Sequence, residues 1–270
     1  MFHDSAEHFG KPDLNGRDAS LTAMMSGKVT RFLSRNIPTK RLAMRNEQPL
    51  VTFTFDDVPA STCSVGVPIL EGYGVRGTFY ISGGGCGAPS PCGPLATADQ
   101  LKLLHAKGHE LGCHTFNHFA VARVGTDDLA RDLERNRSFL MGISHKAPRN
   151  FAYPYGDMSF PAKRYLEGRF DSCRALVPAV NAGSVDLGAL RAFPLENASM
   201  DRDKVLDLVV TAARTRGWLI FFSHDVSEQQ PSQYGVSRDL LAFAAASARD
   251  AGCRIVTIAE GLDLVGGAGC

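Results

Sequence analysis

At 270 residues, with 29 Lys plus Arg against 28 Asp plus Glu, the chain carries a formal net charge of +1, which excludes an overall basic footprint for nucleic acid. No apolar stretch approaches the ~18 residues of a membrane span. The start, Met1 to Ser5, lacks the basic-then-apolar profile of a secretory signal, so a cytoplasmic protein is expected.

Residues 1–48 differ in texture from the rest of the chain. They hold a turn signal at Asn15-Gly16, then a basic stretch with Lys28, Arg31, Arg35, Lys40, Arg41 and Arg45. An N-terminal strap with a solvated basic face is the expectation, rather than a docking surface for an anionic partner. From Leu50 onward strands and helices alternate. Val51–Phe55 reads as a buried strand, Ser61 as the cap of a helix to Tyr73, and Gly77–Ile81 as the next strand. Thr97 opens a helix to Ala106, with Asp99 and Gln100 in its first turn. His109–Cys113 is a third strand, and Thr126–Leu140 a polar helix with Leu129, Leu133 and Leu140 on one face. Asn150–Tyr153, Cys173–Val177 and a short Leu190–Phe193 read as strands, with a helix at Pro161–Glu167. Asp201 caps a helix over Lys204–Arg214 that Gly217 ends, and Trp218–Ser223 is an almost wholly apolar strand. A helix at Ser237–Asp250 leads to a last strand at Arg254–Thr257.

About seven strand–helix pairs in series imply a parallel sheet with helices outside. No Gly-x-Gly-x-x-Gly turn follows the first strand, which favours closure into a barrel over an open dinucleotide-binding sheet. A single catalytic domain over residues 49–264 is expected, with a tail over 265–270. The seven cysteines form no Cys-x-x-Cys pair, so a thiolate zinc site is not expected. Cys86 and Cys92 flank a Gly/Pro-rich loop. Two free thiols are the simpler reading, and a disulfide between them stays open.

Chemistry-bearing residues fall repeatedly at the C-terminal ends of the strands, where catalytic groups gather in such folds. Asp56-Asp57 closes the first strand, His114-Thr115-Phe116-Asn117-His118 follows the third, Tyr153-Pro154-Tyr155-Gly156 ends another, and Ser223-His224-Asp225 ends the apolar one. His114 and His118 face one way if the chain turns helical after the strand. Thr115 stands where zinc peptidases carry a glutamate, so a carboxylate must come from elsewhere, and the Asp pair is the obvious source. Neighbours on an extended chain point opposite ways, so one aspartate binds metal and the other faces the water. His224 is the candidate general acid. Arg149 is a candidate partner for a carboxylate in the site, with an exposed arginine before a strand as the equal alternative.

On these motifs the chain resembles the polysaccharide deacetylase family, carbohydrate esterases that share the nodulation-factor deacetylase homology domain. The likeness spans about Leu50 to Leu262. It implies a distorted (β/α)₇ TIM-like barrel and a metal-dependent hydrolase that removes N-acetyl, or O-acetyl, groups from a carbohydrate. In that family's terms Asp56 is the base, Asp57, His114 and His118 are the metal ligands, and Arg149 orients the base. Tyr155, beside Pro154, lends a backbone N–H to the oxyanion, and His224 is the acid. The implied metal is Zn²⁺, with Co²⁺ or Ni²⁺ also compatible with two His and one carboxylate. The pattern is departed from at Val58-Pro59, where Gly is usual, and at the long Asn150–Tyr153 spacing after Arg149. The family's fourth motif has no clear counterpart, with Arg174 or Asp186 able to fill part of it. Two rivals remain: a carbon–nitrogen hydrolase acting on a small non-sugar amide, and a non-catalytic sugar-binding protein.

Overall fold

The strand that carries Asp56 is buried at every position, as a strand must be when helices cover one face and a barrel interior the other. The computed structural model describes residues 30–228 and 230–266; Asn15-Gly16, Lys28 and Cys270 lie outside them. The strands are β1 (Arg41–Ala43), β2 (Leu50–Asp56), β3 (Thr78–Ile81), β4 (Glu110–Cys113), β5 (Asn150–Ala152) and β6 (Ser172–Arg174). Then come β7 (Ser184–Asp186), β8 (Phe193–Pro194), β9 (Trp218–Ser223), β10 (Val226–Ser227), β11 (Val236–Ser237) and β12 (Arg254–Ile255).

The main sheet runs β6-β5-β4-β3-β2-β9-β8, every neighbouring pair parallel. Closure comes from the segment before β8. Leu190 bridges to Arg174 of β6, while Phe193 and Pro194 pair with Phe221 and Phe222 of β9. The result is a small, irregular barrel, as expected. β12 pairs with the first residues of β2, at Leu50 and Val51, outside the ring. β1 and β7 form a separate antiparallel ribbon.

Strand alternation sorts side chains into two cores. Val51, Phe53 and Phe55 pack outward with Phe79, Phe151, Cys173 and Phe221 under the helices. Leu50, Tyr80, Ala152, Trp218, Ile220 and Phe222 form the inner cluster. Parity therefore places Asp56 on the inward side of β2 and Arg174 on the inward side of β6. At the other end of the barrel the half-buried Glu110 accepts from Thr78 Oγ1 at 2.8 Å, Asn150 Nδ2 at 2.5 Å and the Ala259 N–H at 2.9 Å. These bonds seat the helix Ile258–Gly266 as a floor. Trp218 lies against Gly261, where a Cβ would come within 2.4 Å of the indole.

Most element boundaries agree with the expectations, including the capping box between Thr97 and Gln100 and the cap at Asp201. Three departures have local reasons. Ser61 caps nothing: it has helical backbone, and the helix opens before it and contains a π-turn over Thr62–Gly66. Helix Arg202–Thr215 ends on Arg216 in left-handed conformation, one residue before the expected glycine. The basic strap is not simply solvated. Lys40 Nζ donates to the carbonyls of Glu167, Phe170 and Asp171 at 2.8–3.1 Å, placing its charge at the end of one helix. Cys86 and Cys92 are free thiols.

Candidate metal-assisted hydrolytic site

The two aspartates part company through a backbone kink. Asp57 and Val58 both take left-handed conformations, φ 58° and 57°, and the Val58 N–H donates to the Asp56 carbonyl at 2.6 Å. A β-branched residue at positive φ is strained and persists only where its surroundings fix it. The expected alternation along an extended chain is thus replaced by a sharp turn. Asp56 stays in the barrel and Asp57 swings to the rim.

The loop from His114 to His118 is not helical, contrary to expectation. It turns through two left-handed residues, Thr115 at φ 61° and His118 at φ 54°. Asp132, 2 % exposed, shapes it by accepting from the Phe116 N–H at 2.5 Å, the Asn117 N–H at 3.1 Å and Asn117 Nδ2 at 2.5 Å. Thr115 Oγ1 accepts from the Phe119 N–H at 3.0 Å. The outcome is what the spacing implied by another route: ligand atoms of Asp57, His114 and His118 all lie within 4.8 Å of one another.

This donor set suits a borderline divalent cation. His114 Nδ1–H donates to the Ala152 carbonyl at 2.9 Å, which leaves Nε2 as the free ligand atom. The same tautomer of His118 donates from Nδ1 to the Tyr155 hydroxyl oxygen at 2.9 Å, and its Nε2 lies 3.4 Å from Asp57 Oδ1. Hydrogen-bonded outer nitrogens are the usual support of metal-binding imidazoles. Burial pushes the pKa of each imidazole down to about 4, so both are neutral near pH 7, as a ligand must be. Burial pushes the Asp57 carboxyl up, a penalty that a cation would offset.

Asp56 is not in that trio. Its carboxylate is held by Arg174 Nη2, 2.6 Å from Oδ1 and 2.5 Å from Oδ2, in a pair whose side chains are 0 % and 4 % exposed. The guanidinium lies over Tyr80 and Phe222, 5.2 and 5.1 Å from their ring centroids. Burial raises the Asp56 carboxyl, but the surrounding positive charge, that of Arg174 first, outweighs it and holds the group below the usual range. It is ionised and available as a base.

His224 follows β9. Its N–H donates to the Tyr234 carbonyl at 3.1 Å, its carbonyl accepts from Thr62 Oγ1 at 2.6 Å, and its Nδ1 has no partner among the described residues. The π-turn supplies that Thr62 contact; such turns often mark functional sites. Asp225, which shares the strand end, faces elsewhere: it accepts from the Ser232 hydroxyl and N–H and staples the following loop. Pro154 is buried, whereas Tyr155 is 63 % exposed at φ 58°. Its N–H opens a short turn, where helical geometry offers no backbone acceptor.

Residues 43–167 match the sequence profile described as polysaccharide deacetylase. That segment, 125 of the 270 residues, is similar to the polysaccharide deacetylase family. A bifunctional xylanase/deacetylase of Pseudobutyrivibrio xylanivorans is 27% identical over 108 residues, 40% of this chain and 17% of the relative. A chitin deacetylase of Colletotrichum lindemuthianum is 26% identical over 140 residues, 51% of this chain and 55% of the relative. The chain thus spans about half the length or less of these curated relatives. The Xyl-CE4 domain of a multidomain xylanase from the hindgut metagenome of Trinervitermes trinervoides superimposes with a TM-score of 0.57 at 19% identity. That match covers 80% of this chain and 91% of that one, and it shows the fold.

Within this deacetylase-family frame, one expectation is corrected. Arg149 does not reach Asp56. It sits before the first residue of β5, at the end of the barrel away from the site, and pairs with Asp171 at 2.7 Å and Asp263 at 3.2 Å, half exposed. The arginine on Asp56 is Arg174 of the neighbouring strand, where Ala152 and Arg174 are register partners. Asp186, the other fourth-motif candidate, accepts from Lys163 at 2.6 Å and does not join the site. A charged residue at an inward position of a wholly buried strand was the available signal for Arg174.

Proposed function

We propose that the chain is a metal-dependent carbohydrate deacetylase that hydrolyses N-acetyl groups, or O-acetyl groups, by water attack. One observation carries this reading: an ionised aspartate, Asp56, stands beside a three-ligand trio, Asp57, His114 and His118, without belonging to it. A cation held by that trio, zinc before cobalt or nickel on its two imidazoles and one carboxylate, supplies a Lewis acid and lowers the pKa of water.

The remaining steps fall to the chain's own groups. Asp56 takes the proton of the attacking water, and Arg174 keeps that carboxylate charged and aimed. The Tyr155 N–H donates to the carbonyl oxygen as it gains negative charge, an interaction of about 3 kcal/mol per well-placed donor. His224 delivers a proton to the leaving amine or alcohol. Relatives named chitin deacetylase and chitooligosaccharide deacetylase support an acetylated sugar as substrate. Two exposed aromatic rings support it as well: Tyr155 lies 4.4 Å from the His118 ring and Tyr234 lies 5.5 Å from the His224 ring. Both present an apolar face and a polar tip beside the reacting groups.

The test is acetate release from acetylated chito-oligosaccharides, peptidoglycan fragments and small cyclic or linear amides, with metal content read by mass spectrometry on untagged protein. Asp56→Asn is expected to abolish turnover and keep the metal. Near wild-type activity in Asp56→Asn would refute the assignment, and turnover confined to non-sugar amides would move the substrate class.

A further inference from the structure

The Tyr155 turn is an unusual place to store catalytic geometry. Tyr155 and Gly156 are both left-handed, φ 58° and 60°, and the tyrosine side chain is largely in solvent. Such a backbone needs its neighbours to hold it. From below, Gly156 packs on Leu176, which a Cβ would meet at 2.8 Å. From the other side the support comes from residues 30–36, a helical segment outside the family match.

Three consecutive residues of the turn's exit are engaged by this segment. Arg31 Nε donates to Asp157 Oδ1 at 2.8 Å, Ser34 Oγ lies 3.3 Å from the Met158 carbonyl, and Arg35 Nη2 lies 3.4 Å from the Gly156 carbonyl. The segment is itself pinned. Lys163, fully buried, donates to the carbonyls of Ser34 at 3.0 Å and Ile37 at 2.8 Å, and to Asp186 at 2.6 Å. Asp157 is 9 % exposed and its second oxygen faces Arg123 at 3.5 Å. The chain of contacts therefore runs from the buried Lys163, through the helical segment, to the turn, and from the Tyr155 hydroxyl to His118.

We propose that residues 30–36 brace the oxyanion turn, with Arg31 as a positioning residue that acts through Asp157 on the Tyr155 N–H and hydroxyl. The proposal rests on the deacetylation reading of the site. The N-terminal strap is then a working part of the hydrolytic centre and not a neutral extension. Because Arg31 touches neither substrate nor metal ligand, its removal should lower the rate of the bound complex while leaving substrate binding nearly intact.

The experiment compares Arg31→Ala, Arg31→Lys, Asp157→Asn and the Arg31→Ala/Asp157→Asn double variant in the full chain. Arg31→Ala is expected to lower kcat about tenfold with KM within about twofold, since small misplacements of positioning groups act on kcat. Arg31→Lys should recover part of that loss, and the double variant should lose no more than the worse single one, the mark of one shared interaction. A second readout does not need activity: amide exchange at Gly156 and Asp157 should accelerate in Arg31→Ala while β5 and β6 stay protected. Unchanged kcat and unchanged exchange, losses that multiply in the double variant, or loss of kcat in step with global unfolding would each overturn the brace. If the wild type releases no acetate from any substrate while the turn still loosens in Arg31→Ala, the brace stands and the deacetylation reading falls.

Discussion

Replacing Arg174 with Met tests the centre of the site most directly. Methionine keeps much of the arginine stem's volume and removes the charge together with its hydrogen bonds to Asp56. The guanidinium nitrogen lies 2.5–2.6 Å from both oxygens of Asp56, so the charge centres are about 4 Å apart. With an effective dielectric of 20 that separation corresponds to a Coulomb energy of about 4 kcal/mol in favour of the ionised carboxylate. In the native chain Asp56 lies below its ordinary value of 3.8, so the base is ionised throughout the neutral range. Without Arg174, burial dominates and the carboxyl rises above its ordinary value. The acidic limb of kcat/KM should therefore move to higher pH, part of the loss being recovered as pH rises further. Stability changes sign with it. The native pair contributes stability above the unfolded pKa of Asp56 and loses it as pH falls through the folded value. In Arg174→Met the folded pKa lies above the unfolded one, so the variant is more destabilised at pH 8 than at pH 5. Acetate release across this range, with melting temperatures at both ends, reads both effects. Arg149→Met is the control: its ion pairs are half exposed, and loss of such pairs costs about 1 kcal/mol or less with no change in the pH profile. An unshifted acidic limb in Arg174→Met, or a shifted one in Arg149→Met, would refute the assignment of Arg174.

The metal trio leads to two further outcomes. Because His114 and His118 are pushed down to about 4 from 6.5, protons compete with zinc only below about pH 5; occupancy measured by equilibrium dialysis should be flat from neutrality to that point, and release centred near the ordinary histidine value would contradict the burial argument. The same depressed values mean that metal-free protein keeps the neutral-imidazole stabilisation above pH 6.5 and loses it as pH falls toward 4, so its melting temperature should drop across that window. Asp132→Ala leaves the Phe116 and Asn117 donors without their acceptor and should cost about 3 kcal/mol of stability, together with a roughly tenfold or greater loss of zinc affinity. Calorimetry and competition with a chromophoric chelator check it, and wild-type zinc affinity would show that Asp132 does not shape the ligand loop.

Much of this site was legible because its chemistry is written in contiguous strings. Asp56-Asp57 and His114 to His118 each lie at the end of a strand, and strand ends are where a parallel barrel gathers its functional groups. The backbone geometry was less legible than the residues themselves. Alternation was expected to separate the aspartates and a helical turn to align the histidines. The structure uses left-handed residues, Asp57, Val58, Thr115 and His118, for both tasks. Nothing in local propensity announces a valine or a histidine at positive φ, because the surroundings that fix it come from distant segments.

By itself, the amino-acid sequence determined the alternating strand–helix order, the burial of β2 and β9 on both faces, and the identity of the three metal-ligand candidates and the candidate base. These arise from patterns a few residues long. Only the tertiary structure decided which arginine holds Asp56, which carboxylate shapes the histidine loop, and that the N-terminal strap reaches the Tyr155 turn. Arg174 meets Asp56 across 118 positions and Arg31 meets Asp157 across 126. Such pairings depend on which strands become neighbours when the ring closes and on which parity points inward, quantities that no local window contains.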